Sequence, residues 1–494
     1  MVQNSCLGVA LKHVLFILFD QLRYDAIDAL GNPYIYTPAL DALAADSVIF
    51  DRCYTPSPVC VPARLSLHAG QYPNRTGNCG NVKNAPAYNG KGFYAEFTEH
   101  GYDSCCVGKM HYAWDLLGNV GFKKRYTQEP LANDDYSAFL RNSPVTENIF
   151  DYNGQRSDMY YVPQVSQLPA EYHPTQWIGD RSLDFLGSAD PEKDNIFLFS
   201  SIFHPHPPFS PPSPWNKIYR SYDGIEPHIP DNFDMKDIAP LLCPRMSLER
   251  FGISELDLKR LRNFYYACVS FGDWQVGRII AELKRKNMYD DTLIVVSSDH
   301  GEMLGDFSTV GKRSMKDGAA HIPLMIKMPG VKPGRRSDVC SLVDLAPTLL
   351  SYAGIEYDKS EYDGVDLFSE RHSEVFSQYG CGKSGVFMLV TDRDKLIYSA
   401  ARDRYYYYQN FDEDHDTYAE HAPHITDLKS KLDAYIAADK NIPEAGKKKP
   451  VDHPFNTKYK DDPYVYDREM SRVPPEYHLH LTDPAEVKKS DFLE

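Results

Sequence analysis

Four short apolar runs recur along the chain, and each ends in polar side chains able to do chemistry. Val14–Phe19 runs into Asp20 and Gln21, Ser104–Val107 precedes Lys109, Ile196–Ile202 precedes His204 and His206, and Leu293–Val296 precedes Asp299 and His300. Unbroken apolar runs of this kind, separated by stretches of helical period, predict parallel strands covered on both faces. In an open α/β sheet the ligand lies beyond the carboxyl ends of the strands, so one crevice is expected to collect all of these polar residues.

Helices are readable between the runs. Thr37-Pro38 predicts a helix start, with Thr37 as N-cap, Pro38 at the first helical position and Leu40, Leu43 and Ala44 on one face. A long helix is predicted over Leu256–Lys284, where Leu258, Leu261, Tyr265, Cys268, Gly272, Val276, Ile279, Ile280 and Leu283 keep close to helical spacing. It leads into the Leu293 strand as a crossover helix does. From about His372 the runs shorten. Val386–Thr391, Lys395–Tyr398 and the tyrosines Tyr405–Tyr408 predict a smaller antiparallel sheet with a helix over Ile425–Ile436 lying on it. Beyond Pro443 the chain is rich in Lys, Asp, Pro and Tyr with little periodicity, which reads as an extended tail, wrapped on the body or used between subunits. The expected class is therefore α/β, a mostly parallel mixed sheet flanked by helices with a small C-terminal antiparallel sheet plus helix. The expected division is a catalytic unit over 1–371, a small α+β unit over 372–442 and a tail over 443–494.

Charge changes the picture. The 494 residues carry 53 Lys and Arg against 69 Asp and Glu, a formal charge of −16. With no long basic block, this argues against a general binder of nucleic acid or anionic membrane, so any anionic substrate must be caught by a local basic pocket. Val14–Phe19 is far shorter than the roughly 20 residues of a membrane span. It also lacks the basic start and cleavage site of a signal peptide, and a cytoplasmic protein is expected. The ten cysteines show no framework spacing and no Cys-x-x-Cys pair, which suits buried thiols.

The most informative stretch is Ser57–Gly70. Pro62 fits the first position of a short helix, Ala63 and Leu67 share a face, and Gly70 fits its end. Cys60 would then sit just before a helix N-terminus, where free N–H groups favour an anion and lower a thiol pKa.

Cys60-x-Pro62-x-Arg64 resembles the signature of the formylglycine-dependent sulfatases of the alkaline phosphatase superfamily. The likeness covers most of residues 14–370. It includes Phe19-Asp20-Gln21, Gly108-Lys109-Met110-His111, Pro205-His206-Pro207-Pro208-Phe209, the block from Ser298-Asp299-His300-Gly301-Glu302 to Asp306, and Gly311-Lys312, in the family's order. It implies an alkaline-phosphatase-like fold and hydrolysis of a sulfate monoester to alcohol and sulfate. It also implies that a maturation enzyme oxidises Cys60 to formylglycine, which hydrates to a geminal diol. Ala63 stands where serine is usual and Gln71 where arginine is. Gln21 and His300 replace the Asp and Asn of many sulfatases, a combination that resembles the choline sulfatase and phosphonate monoester hydrolase branch. Phe307 stands where histidine is common, so substrate contacts on that loop are expected to differ.

The chemistry of these residues suits the resemblance. Asp20 and Asp299 supply hard anionic oxygens, Gln21 a neutral oxygen and His300 a nitrogen, which with an oxygen on residue 60 would cage one divalent cation. Calcium is the family's default, and His300 leaves manganese or magnesium open. Arg64, a turn into the helix, is expected to fix the attacking oxygen. Lys109, His206 and Lys312 would converge on the ester's oxygens, with His206 or a neighbouring lysine protonating the leaving alcohol. His111 resembles the family histidine that deprotonates the second diol hydroxyl and expels sulfate. Two other readings use the same residues: a phosphonate monoester or phosphodiester hydrolase, and an unmatured binding protein that keeps the fold. The Lys109-x-His111 pair favours the sulfatase. Specificity is expected from the loops Ala85–Tyr94 and Tyr126–Val162, and the tail resembles the interface-forming extensions of some members of the family, a resemblance that implies a homo-oligomer. Gly382-Lys383-Ser384 reads as a turn and His478-Leu479-His480 as exposed tail.

Overall fold

The first predicted strand, β1 (His13–Asp20), is buried along its whole length, and its side chains divide between two cores. In this computed structural model residues 13–440 are described, apart from 82–87, 113–114, 130–132, 146–159, 220–223, 232, 234–240, 243–245, 250 and 423–424. Leu15, Ile17 and Phe19 pack against the helices Pro38–Ala45, Pro174–Ser188 and Glu255–Arg285. Val14, Phe16 and Leu18 pack on the opposite face with Leu67, Phe93, Phe97, Leu345 and Leu349. This two-sided burial is why the strand reads as a continuous apolar run.

Eight more strands complete the main sheet: β2 (Val48–Tyr54), β3 (Asp103–Gly108), β4 (Lys124–Thr127), β5 (Ile196–Pro205), β6 (Thr292–Ser298), β7 (His321–Ile322), β8 (Leu324–Lys327) and β9 (Gly334–Ser341). Their order is β4-β3-β5-β1-β6-β8-β2-β7, with β9 beside β2. The segment from β4 to β6 is wholly parallel, and β8 runs antiparallel to both β6 and β2. The four predicted strands are β1, β3, β5 and β6.

The long helix Glu255–Arg285 lies close over the end of β1 because Gly272 faces Phe19, whose ring a Cβ there would approach to 2.6 Å. The helix Pro38–Ala45 begins where Thr37-Pro38 predicts, but the Thr37 hydroxyl does not cap it. The Thr37 hydroxyl accepts from the Asp28 amide instead, and the buried Asp273 carboxylate on the long helix accepts the Ala39 and Leu40 N–H groups at 3.2 and 2.7 Å. The cap therefore comes from a distant segment and ties two helices together.

A second sheet is an antiparallel meander of β10 (Glu374–Tyr379), β11 (Val386–Thr391), β12 (Asp394–Ser399) and β13 (Arg404–Gln409). Met388, Ile397, Tyr406 and Tyr408 seat it on Tyr54, Met315 and Val339 of the main body. Phe387, Leu389 and Tyr407 take Leu432 of the helix Thr426–Ala437 on the other face. Gly382–Ser384 is a single 3-10 turn before β11. The tail over 443–494, with His478 and His480, lies outside the described residues. The eight described cysteines are free, six of them buried. Among the described residues no helix is long and apolar enough to cross a membrane.

Candidate active site

The adjacent strands β3, β5, β1 and β6 deliver their following residues to one edge of the sheet: Lys109, His206, Asp20 with Gln21, and Asp299 with His300. Gly108, at φ +99°, lets β3 pass close to β5, since a Cβ there would lie 2.2 Å from the Ser201 carbonyl oxygen. Gln21 and His111 adopt left-handed backbone at φ +73° and +58°, a strain that persists only where the surroundings over-determine it.

The helix carrying Cys60 spans Cys60–Ala69 and starts two residues earlier than Pro62 predicts. Cys60 is thus the first helical residue rather than the one before the helix. The Val61 N–H is taken by the Asn81 side chain at 2.9 Å, so the exposed-amide argument for Cys60 is weaker than expected. Gly70 ends the helix at φ +62°, as expected.

Charge rather than the helix end conditions residue 60. The Lys312 ammonium lies 2.8 Å from Cys60 Sγ, His300 Nε2 3.2 Å, Lys109 Nζ 3.9 Å and Asp20 Oδ1 3.9 Å. Burial alone would raise the thiol pKa; Lys109, then Lys312 and His300, outweigh it and hold the thiol well below its ordinary value, with a hydrogen bond from His111 adding to them. Burial likewise opposes ionisation of Asp20, yet Lys109, at 2.5 Å, keeps this carboxyl below the usual range.

Arg64 is buried and braces this edge. Its Nε donates to Asp299 Oδ2 at 2.7 Å, and its Nη1 donates to the Lys109 carbonyl at 2.7 Å and to Ser201 Oγ at 2.9 Å. Its Nη2 lies 3.5 Å from Asp20 Oδ2 and makes no hydrogen bond. None of its hydrogen bonds goes to Cys60. His206 gives Nδ1–H to the Pro207 carbonyl at 2.7 Å and bonds Cys60 through the rest of its ring; burial, then the charge of Lys312, push its pKa down to about 3.

Asp20, Cys60, Asp299 and His300 offer ligand atoms within 4.8 Å of one another, all buried. His300 Nδ1–H is committed to the Gly301 carbonyl at 2.9 Å, which turns Nε2 toward the cluster. The Lys312 ammonium bonds Gln21 Oε1 at 2.8 Å as well as Cys60 and His300. The cluster therefore already receives a cation, and its hard oxygens with one imidazole nitrogen fit a divalent metal ion.

Two buried carboxylates escaped the sequence reading. Glu302 accepts the Gln21 Nε2–H and the Gly311 and Leu304 amides, so the Gln21 amide must turn its oxygen toward Lys312. Glu129 accepts the Met110 and His111 amides. Glu302 sits inside a quoted motif block, whereas nothing in the sequence marks Glu129. Of the two expected specificity loops, Tyr160 sets its ring centre 6.3 Å from that of His206, and Tyr88 its ring centre 5.9 Å from that of His68; 82–87, 130–132 and 146–159 fall outside the described residues. Phe307 turns away from the cluster, into a cavity of about 360 Å³ that it shares with Arg23, Asp306 and His228 and with none of the residues around Cys60.

Residues 12–355 match the sulfatase family model. This chain belongs to the sulfatase family. An arylsulfatase of Clostridium perfringens is 29% identical over 429 residues, 80% of this chain and 87% of its own length. A choline-sulfatase of Rhizobium meliloti is 31% identical over 414 residues, 78% of this chain and 77% of its own. The phosphonate monoester hydrolase of Agrobacterium radiobacter shares the fold, with a TM-score of 0.74 at 23% identity over 86% of this chain and 95% of that one. The sulfatase is accordingly a sulfuric ester hydrolase built on the alkaline-phosphatase-like architecture.

Proposed function

We propose that this sulfatase hydrolyses a sulfate monoester with residue 60 matured to formylglycine beside one divalent cation, calcium being the first candidate. The observation that carries the reading is the meeting of two ammonium groups, an imidazole and a carboxylate around Cys60 Sγ within 3.9 Å. A cation held by Asp20, Gln21, Asp299 and His300 would supply Lewis acidity and lower the pKa of a hydroxyl beside it. As the hydrated aldehyde, residue 60 would offer one hydroxyl to attack sulfur and a second whose proton can be removed. Serine or unmodified cysteine lacks that second hydroxyl.

The chain's own groups then divide the work. Lys109 and Lys312 hold the non-bridging oxygens, and Arg64 fixes Asp299 and the Lys109 carbonyl. His206 has given Nδ1–H to Pro207, so Nε2 is the atom that would carry a proton to the leaving oxygen. Burial and Lys312 disfavour that proton, and an anionic substrate facing the ring would favour it. His111 would take the proton of the second hydroxyl and so release sulfate. Aryl and choline sulfates are the substrates to try first, since the arylsulfatase and choline-sulfatase relatives match over most of this chain.

Gln21 together with His300 keeps a second reading, the phosphonate or phosphodiester hydrolase. A sulfate monoester and a phosphodiester carry the same net charge, so discrimination must come from which oxygens are held and whether a second ester group fits. With both lysines on non-bridging oxygens, kcat/KM for a sulfate monoester should exceed that for the matching phosphonate monoester by at least about a hundredfold, on the order of 3 kcal/mol. Kinetics with one shared aryl leaving group measure this ratio, and a ratio below one makes the phosphorus ester the substrate.

A further inference from the structure

We propose that Glu129 is a positioning residue of the reaction, which holds His111 against residue 60; this rests on His111 being the base that releases sulfate. Glu129 is fully buried. A single oxygen, Oε1, accepts the N–H groups of Met110 at 2.7 Å and His111 at 2.9 Å and the Arg125 Nη2–H at 2.8 Å. Successive amides turn to one side in this way where the backbone enters the left-handed region, and His111 does so at φ +58°. A non-glycine residue keeps that conformation only with external support.

The clamp has a firm base. Arg125 lies on β4, hydrogen-bonded in parallel to β3, and its Nη1 donates to the Gly118 carbonyl at 2.5 Å. The other end of the loop is held separately, by Arg64 on the Lys109 carbonyl at 2.7 Å. Loss of Glu129 should therefore free His111 before it disturbs Lys109. The step at issue breaks the O–H bond of the free hydroxyl on residue 60, with its proton passing to His111. The electron pair becomes the carbonyl bond, and the carbon–oxygen bond to sulfate breaks with its pair leaving on sulfate.

The test compares matured wild type with Glu129→Ala, Glu129→Gln and His111→Ala on an aryl sulfate, with mass spectrometry of the residue-60 peptide after acid quench in turnover. Glu129→Ala is expected to lower kcat about a hundredfold with kcat/KM within about threefold of wild type, and to leave sulfate on that peptide, as His111→Ala should. Glu129→Gln is expected to show the same split at several-fold size, since a neutral oxygen holds three donors less well than a carboxylate; it decides the matter if Glu129→Ala does not fold. Equal falls in kcat and kcat/KM without the sulfated peptide, or a Glu129→Gln enzyme identical to wild type, would overturn the proposal while His111→Ala still accumulates it. If His111→Ala accumulates none, the assignment of His111 fails and the proposal with it.

Discussion

Two buried lysine clusters on this chain look alike in composition and differ in balance. Lys395, in the small sheet, bonds Asp317 and Glu413, the latter at 2.7 Å, and its ammonium lies 5.0 Å from the centre of the Tyr54 ring. Burial opposes its charge, but Asp317 and then Glu413 prevail and raise its pKa. Lys312 is buried too, yet its bonds go to an amide oxygen, a thiol and an imidazole, and among the described residues no carboxylate pairs with it. The first cluster is closed on itself. The second turns a buried positive charge, with no carboxylate bonded to it, toward residue 60, which marks where an anion is handled. Positive φ occurs at both: Gln21, His111, Leu304 and Arg313 carry it near the catalytic cluster, and Phe411, stacked on Tyr54, carries it beside Lys395.

If the catalytic cluster holds a metal, Asp299→Asn should lower activity by about 10³-fold or more and abolish bound divalent metal in the same preparation. Metal analysis beside kinetics checks this, and an inactive enzyme that retains its metal would move Asp299 out of the ligand set. Next in size is the exchange of costs between the two lysines. Lys312→Met should cut kcat/KM by about 10²–10³-fold and leave the unfolding temperature unchanged or higher, because it removes a buried charge that has no carboxylate. Lys395→Met should cost about 3–5 kcal/mol of stability by stranding two carboxylates, with kcat/KM of the folded fraction little changed. Denaturant titration with parallel kinetics reads both, and equal stability losses would erase the contrast.

How much of this was legible in advance follows from where each interaction's partner lies. β1, β3, β5 and β6 were visible because both faces are covered and the strands read as apolar runs. The residues at their ends were visible because a sheet edge gathers them. β2 was not predicted: its pattern Val48-Ile49-Phe50-Asp51-Arg52-Cys53-Tyr54 is interrupted by charge, and its partners β8 and β9 lie far along the chain. Cys60 was found by motif, yet its helix starts before the proline. The braces on the site were not legible, since Glu129, Glu302 and Asp273 each act on backbone amides that fold close to them from elsewhere.

Asp273 gives the smallest test. Burial pushes its pKa up to about 7 from an ordinary 3.8, so the folded state keeps a proton that the unfolded chain has lost. Stability from this group is therefore greatest at low pH and declines as pH rises from 3.8 through 7. Asp273→Asn should gain on wild type by about 2–3 kcal/mol between pH 5 and pH 8. Unfolding curves at the two pH values check this, and a difference independent of pH would mean that the carboxyl ionises freely in the fold.

In the proposed mechanism an aldehyde at residue 60 carries every chemical step, so turnover should be titrated against it. In preparations made with graded amounts of a formylglycine-generating enzyme, the fraction of residue 60 that reacts with a hydrazide probe is measured by peptide mass and plotted against specific activity on an aryl sulfate. A straight line through the origin is predicted, with Cys60→Ala at zero. Full activity in a preparation whose residue 60 remains a thiol would contradict it.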